Sequence, residues 1–484
     1  MKLLKASLIA FLLLSMVSCS EKEDTPDNIQ AQSFVWKGLN AYYLWQDKIT
    51  DLEDTRFKND QELYNYLAGF DDASILFYNS LYMVNEYPKD INKTYSLIVE
   101  DYNSLEQAFE GIRITTGIKI NGADYLDGTG NYYAYVYDVV KGSDADTKGV
   151  KRGMIISHVN GTQITKENIK SLFSNTTFTI HLADYNMGNP ISNSITIDLI
   201  KNQVTENPIK EVKIIANGAK KIGYVMYNQF SSSFDNQLNT VFSNFKNEAI
   251  TDLIIDLRYN GGGSVKTAVY LGSMITGQFN DELFSKQIWN SKVIANTKNA
   301  DFFINNFTEK ILNKNNEGDI ILEETINSLN LSTVYFIVSE NTASASELVI
   351  NALKPYIDVK LVGIQTYGKH VGSITLYDSD NFLRNGPNFK NNHNWAMLPI
   401  VFEIQNKNGQ NKPKGFIPEV IIKENPGNLG VIGNTKEPLL ERTIQYIVTG
   451  TKNNTNLNKK INTPLHWNSS METPDYNTMY LKLK

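Results

Sequence analysis

Cysteine is almost absent from this chain: among 484 residues there is one, Cys19. A single thiol excludes an internal disulfide and any multi-cysteine metal centre. Proline is scarce too, 13 residues against 30 glycines, which excludes collagen-like and proline-rich chains. Positive charge is not in excess. The formal net charge is −6, and −8 without the first eighteen residues, which hold Lys2 and Lys5 and no acid. Phosphate binding needs clustered Lys and Arg, so nucleic acid is excluded as the main partner. The apolar run Ala6–Val17, interrupted only by Ser7 and Ser15, is too short to span a bilayer. What remains is a globular composition, 41% hydrophobic and 20% charged, at a length that allows roughly three domains.

The lone thiol follows that apolar run. Behind Lys2 and Lys5 the run reads as the core of a secretory signal. Met16-Val17-Ser18-Cys19 resembles a bacterial lipobox, whose cysteine becomes the lipidated first residue of the mature chain. A signal peptide over 1–18 and a tether over 19–32 are expected, with acyl chains holding the protein to a membrane at about 0.8 kcal/mol per buried methylene. Ser20-Glu21-Lys22-Glu23-Asp24 resembles the acidic export tag of surface lipoproteins in the Bacteroidetes. The expected address is the outer membrane of the cell envelope, periplasmic or surface-exposed. The alternative is a plain signal peptide with an incidental cysteine.

Val35, Trp36, Leu39, Tyr42 and Tyr43 recur at helical spacing. Asn59 with Glu62 opens a second helix bearing Leu63, Tyr64 and Leu67, ended by Gly69. Residues 33–95 are thus expected to form a small N-terminal helical domain without chemistry. Residues 105–204 are β-rich, with runs such as Tyr132–Val140 and Ser194–Ile200 between Gly, Asp and Asn turns. From 206 to 448 strands (Gly223–Tyr227, Leu253–Leu257, Val334–Ser339, Val359–Ile364) alternate with helices (234–245, 265–276, 344–354, 438–448). That alternation predicts right-handed crossovers and a mostly parallel sheet. Asn408-Gly409 reads as a hairpin turn. The Asn- and Lys-rich tail, 449–484, offers no pattern.

Two loops at strand ends carry the chemistry. In Asp256-Leu257-Arg258-Tyr259-Asn260-Gly261-Gly262-Gly263-Ser264 three glycines let backbone N–H groups approach a ligand. It is not a P-loop, because Val265 separates Ser264 from Lys266; a tight structural turn is the alternative. In Glu340-Asn341-Thr342-Ala343-Ser344-Ala345-Ser346-Glu347, Ser344 and Glu347 form a capping box, which alone explains a serine there. Ser344 also sits where a nucleophile would, at a helix N-terminus that favours developing negative charge. A serine needs a base. Lys369, in Gln365-Thr366-Tyr367-Gly368-Lys369-His370, follows the next strand. Parallel strands carrying Ser344 and Lys369 would bring both to one sheet edge. A lysine base must be neutral, which requires its pKa to fall from about 10.4 toward 7–8 by desolvation.

Taken together, the Leu-Arg-x-Asn-x-Gly-Gly loop, the Thr-Ala-Ser-Ala-Ser-Glu helix start and the Thr-Tyr-Gly-Lys turn resemble the carboxyl-terminal (tail-specific) processing proteases. The N-terminal segment and Cys19 resemble their Bacteroidetes lipoprotein branch. Residues 139–161, from Val139-Val140-Lys141-Gly142-Ser143 to Val159-Asn160-Gly161, resemble a PDZ domain, with a generic β-barrel spacer as alternative. PDZ domains bind peptides by strand addition, which here would fall near Gly117-Ile118-Lys119-Ile120. The resemblance implies a ClpP/crotonase-like α/β core over 206–448 beside a PDZ domain over 105–204. It implies a Ser-Lys endopeptidase cutting polypeptides with free C-terminal tails through an acyl-enzyme, without metal or nucleotide. Ser344 would be the nucleophile, Lys369 the base, and the N–H groups of Ala345 and Gly262 or Gly263 the oxyanion hole. Many relatives place a Gln four residues after the Lys; here that residue is Ser373, which leaves Ser373 or His370 as the possible third member. Two other readings are a binding protein on this scaffold, as in the interphotoreceptor retinoid-binding protein, and a penicillin-binding enzyme, whose ordered motif set is absent.

Overall fold

A computed structural model describes residues 25–82, 95–315, 317–452 and 467–482. The expected signal peptide, Cys19 and the acidic tag lie outside the described residues. The tether expected to reach residue 32 ends earlier. Gln30–Tyr42 is helix, and it buries Phe34, Val35 and Leu39, so apolar contact wins over a solvated linker. Two further helices, Asp60–Leu67 and Ala73–Asn79, are capped by Asn59 and Asp72. The buried side chains of all three join the hydrophobic cluster that also holds Val225, Leu253 and Phe336 of the main sheet. This N-terminal part therefore has no core of its own; it is packed onto the α/β body.

The β-rich part is an antiparallel sheet of Ile118–Asp124, Tyr132–Val139, Ile155–Val159, Thr177–Asp184 and Ile191–Ile200. It has a separate core around Ile120, Val136, Val159 and Ile180. Asn160 and Gly161, at φ +50° and +76°, close the expected hairpin. A short ladder, Ile112–Thr115 against Asn202–Thr205, leads into and out of it.

The main sheet runs Ile209–Asn217, Lys220–Tyr227, Asp252–Asp256, Thr333–Val338, Asp358–Gly363, Val420–Ile421. Its first pair is antiparallel and the rest are parallel. Side chains alternate across it: Leu253 and Ile255 face the cluster shared with helices Asp235–Asn247, Val265–Ile275 and Ala345–Leu353, whereas Ile254 and Ile337 face helix Pro438–Thr449.

A second six-stranded sheet was not expected. It runs Gly263–Ser264, Met479–Leu481, Val371–Ile374, Ile400–Gln405, Leu283–Trp289, Ile304–Asn306, with both parallel and antiparallel pairs. The mostly parallel description thus fits only the main sheet. The tail is also corrected: Met479–Leu481 is an interior strand, with Met479 and Tyr480 buried. The turn at Asn408-Gly409 forms, with Gly409 at φ +69° and its N–H donating to Asn406 C=O. It follows Ile400–Gln405 but joins no second strand, since the next described strand, Val420–Ile421, belongs to the main sheet.

Candidate active site

Ser344 occupies a sharp turn between Thr333–Val338 and helix Ala345–Leu353, with φ +57° and ψ −115°. Such a backbone costs a non-glycine residue about 1–3 kcal/mol and marks strand-to-helix turns that hold out a nucleophile. The surroundings over-determine it. Thr342 Oγ1 donates to Leu257 C=O at 2.8 Å, and Ala343 N–H and Ser346 Oγ both donate to Asn260 C=O, at 3.1 and 3.0 Å. Ser344 is fully buried.

Gly262 faces this turn at φ +114°; a Cβ there would lie 2.6 Å from Ser344 Cβ and 3.0 Å from Ala345 N. Only glycine lets the loop close on Ser344. Its N–H donates to Asn260 Oδ1 at 2.9 Å, while Asn260 Nδ2 is tied to Tyr227 C=O at 2.8 Å. The Gly263 N–H donates to Thr478 C=O at 2.6 Å. Ala345 opens the helix, so its N–H belongs to the first turn that intrahelical carbonyls leave unsatisfied. Of the two glycines that are alternatives for the second oxyanion donor, Gly262 turns its N–H to Asn260 and Gly263 holds the tail.

Glu347 does more than close the capping box. Its carboxylate accepts from Ser344 N–H at 3.2 Å, Lys369 N–H at 2.8 Å, Gly368 N–H at 2.8 Å and Thr366 Oγ1 at 2.5 Å. One buried side chain thereby joins the backbone of both expected catalytic residues. Burial pushes its carboxyl up to about 7, against the pull of those four donors. The only sequence signal for this role was a Glu three residues after a Ser, which also reads as an ordinary cap.

Lys369 is 1% exposed and lines, with Ser344, Glu347 and His370, a cavity of about 10 Å³. The two side chains face one space without a hydrogen bond between them. The Ser344 hydroxyl donates to Asn477 C=O at 2.7 Å. Lys369 Nζ lies 3.5 Å from Tyr95 C=O and 5.0 Å from the Tyr95 ring centroid. The helical segment expected to lack chemistry thus delivers, at its end, a group that touches the amine. Burial holds His370 down to about 4, so it is neutral at ordinary pH. Ser373 lies four residues on in Val371–Ile374, its backbone opposite Ile400 and Tyr480; among the described residues it makes no hydrogen bond to Lys369.

A second cavity, of about 550 Å³, runs from the β-rich part to Gly261 and Gly262. Ile118, Lys119 and Ile120 line it, as do Phe173 and Arg113; Gly117 lies behind, where a Cβ would meet Ser143 Oγ at 2.0 Å. Lys119 Nζ is paired with Glu206.

Beneath the glycine loop, Arg258 is wholly buried and bonded to Asp256 (2.7 Å), Glu437 (2.7 Å) and Glu424 (2.9 Å). Glu424 also takes Tyr259 Oη at 2.7 Å and Arg152 of the β-rich part. Burial opposes ionisation of Glu424, but Arg152 and Arg258 outweigh it and hold the carboxyl at about 2. Among the described residues no cluster of His, Cys, Asp or Glu could hold a metal ion.

The model of peptidase family S41 matches residues 221–384, which contain both loops. That segment of the core is therefore similar to the S41 peptidases. A chloroplastic carboxyl-terminal-processing peptidase 1 of Arabidopsis thaliana is 24% identical over 52% of this chain and 47% of its own. A CtpA-like serine protease of Staphylococcus aureus is 25% identical over 61% of this chain and 52% of its own. The chain thus spans about half the length of these curated relatives. A crystal structure of a Bacteroides fragilis protein assigned to the S41 proteases superposes with a TM-score of 0.64 at 21% identity, over 86% of this chain and 97% of the other. That superposition extends the shared fold well beyond the matched segment.

Proposed function

We propose that this chain is a serine endopeptidase of the S41 type that cuts polypeptides near their C-termini, with Ser344 as nucleophile and Lys369 as general base. The observation that carries the reading is the strained Ser344 turn, closed on by Gly262 and sharing a buried cavity with Lys369. The hydroxyl attacks the scissile carbonyl while Lys369 Nζ takes its proton, and the amine component leaves with a proton returned from Lys369. Water then hydrolyses the acyl-enzyme. Ala345 N–H with Gly263 N–H supplies the oxyanion donors, after the latter exchanges Thr478 for substrate. The β-rich part acts as a PDZ domain that captures the substrate tail on the strand Ile118–Asp124, and a lipidated Cys19 ties the enzyme to the outer membrane. The names of the curated relatives support the peptidase assignment.

A fluorophosphonate probe and a tailed peptide substrate test the chemistry. Wild type should label at Ser344 and hydrolyse the peptide, while Ser344→Ala and Lys369→Ala should do neither; equal hydrolysis by all three overturns the mechanism. The Ser344–Asn477 hydrogen bond favours a second reading, a binding protein on the same scaffold. A folded wild type that binds peptide but never labels would establish that reading instead. Metabolic labelling with a fatty acid tests the anchor, which is lost if label survives Cys19→Ala.

A further inference from the structure

The strand edge and the catalytic turn are occupied by one peptide, and it is the chain's own. Residues 467–470 run antiparallel to the strand Ile118–Asp124, with Asn468 opposite Asn121. Gly122 N–H donates to Trp467 C=O at 2.9 Å and Ile120 N–H to Ser469 Oγ at 3.0 Å. Trp467 stacks on Phe173 of the helix Ile169–Ser174, at 6.3 Å and 20°, so the peptide lies between edge strand and helix. This is strand addition, in the polarity that points the C-terminal direction toward Gly117.

The same peptide then crosses to the core. Asp475 takes both terminal nitrogens of Arg113 at 2.8 and 2.7 Å, and Gln229 Nε2 at 2.6 Å. Asn477 C=O receives the Ser344 hydroxyl, Thr478 C=O receives Gly263 N–H, and Met479–Leu481 pairs in parallel with Gly263–Ser264. Hydrolysis needs one carbonyl to meet both nucleophile and oxyanion donor. Here two successive carbonyls share those groups, so the peptide blocks the site in a register that is not cut.

We propose that residues 467–481 are an internal pseudo-substrate, holding in cis the continuous track that a polypeptide substrate must take over. The proposal rests on the peptidase reading for its inhibitory consequence, but not for the occupancy itself. A tether gives such a ligand an effective concentration in the millimolar range, so an external peptide competes poorly while the chain is continuous.

The test uses the full chain carrying a site-specific protease sequence inserted between Lys452 and Trp467. After cutting and gel filtration the tail should leave, hydrolysis of a tailed peptide should rise about tenfold or more, and a labelled synthetic peptide of residues 467–484 should rebind and suppress hydrolysis. A labelled peptide carrying Trp467→Ala should bind more weakly. A tail that stays bound through filtration with hydrolysis unchanged overturns the proposal, as does a released, folded protein that fails to rebind the peptide. Rebinding without hydrolysis in any arm leaves the occupancy of the track standing and removes the peptidase reading together with the inhibitory consequence. Should the cut chain not stay folded, Trp467→Ala in the uncut chain decides. With an unchanged Tm it should speed both peptide hydrolysis and hydrogen exchange over 467–481; no change in either overturns the proposal.

Discussion

The two halves of the proposed catalytic edge, the nucleophile side at Ser344 and the amine side at Lys369, are built differently. The nucleophile side is clamped by one loop of the core: Leu257, Asn260 and Gly262 hold the Ser344 turn, and Arg258 anchors that loop from below. The amine side borrows from far along the chain, since Lys369 rests against Tyr95 and its flanking strand pairs with Met479–Leu481. Both halves meet the tail, at the Ser344 hydroxyl and Gly263–Ser264 on one side and at Val371–Ile374 on the other, but it is the amine that also touches Tyr95 of the N-terminal part. The difference teaches where control can enter. A device that alters activity without disturbing the fold should act on these contacts borrowed from the chain's ends.

The comparison breaks most sharply if the two halves contribute unequally to chemistry. Ser344→Ala and Lys369→Ala should each lower kcat/KM by about 10³-fold or more, because groups acting as a unit are lost together. The double variant should be scarcely worse than either, and additive losses in a full kinetic cycle would show that the amine is not the base for this serine.

Next in size is stability on the nucleophile side. Arg258→Met leaves Asp256 and Glu437 buried without their cation, which costs about 3–5 kcal/mol. Urea unfolding should show this as a lower midpoint; an unchanged midpoint would mean the network does not hold the loop.

What could be read in the sequence follows the same division. Asp256–Ser264, Ser344–Glu347 and Gln365–His370 are short, contiguous and chemically unusual, so their composition alone points to a site. The main sheet was legible because its strands are apolar runs broken by helical periodicity. The second sheet was not: Gly263–Ser264 and Met479–Leu481 are too short to carry an alternation, and the partners lie more than two hundred residues apart in sequence. The tail looks featureless because Asn and Lys dilute Trp467, Met479 and Tyr480, the aromatic and apolar residues that dock it. Tyr95 gave no signal, since its role depends on what Lys369 packs against.

Glu347 links the two halves, and its variant sharpens the contrast. Glu347→Gln turns one acceptor into a donor facing N–H groups, so the Ser344 and Lys369 backbones lose their common clamp. The expected loss is about 10–100-fold in kcat with little change in KM, an effect of 1.4–2.7 kcal/mol. Its titration gives a second readout. The folded carboxyl is raised from 4.5 to about 7, so the fold binds this proton more tightly than the unfolded chain does. That contribution to stability is complete below about 4.5 and is lost as pH rises through 7. The Gln variant should lack this component of the pH–stability curve. An identical curve would place the titration elsewhere.

The smallest effect is expected at Ser373, the residue at the position where a glutamine was anticipated. Its strand lies between Ile400–Gln405 and the tail, and its backbone contributes to both ladders whatever the side chain. Removing the hydroxyl deletes no hydrogen bond to Lys369, so Ser373→Ala should alter kcat by less than about threefold, below 0.7 kcal/mol. Steady-state kinetics at several pH values would check this. A loss of tenfold or more, with the fold intact, would mean that Lys369 swings toward Ser373 once substrate displaces the tail.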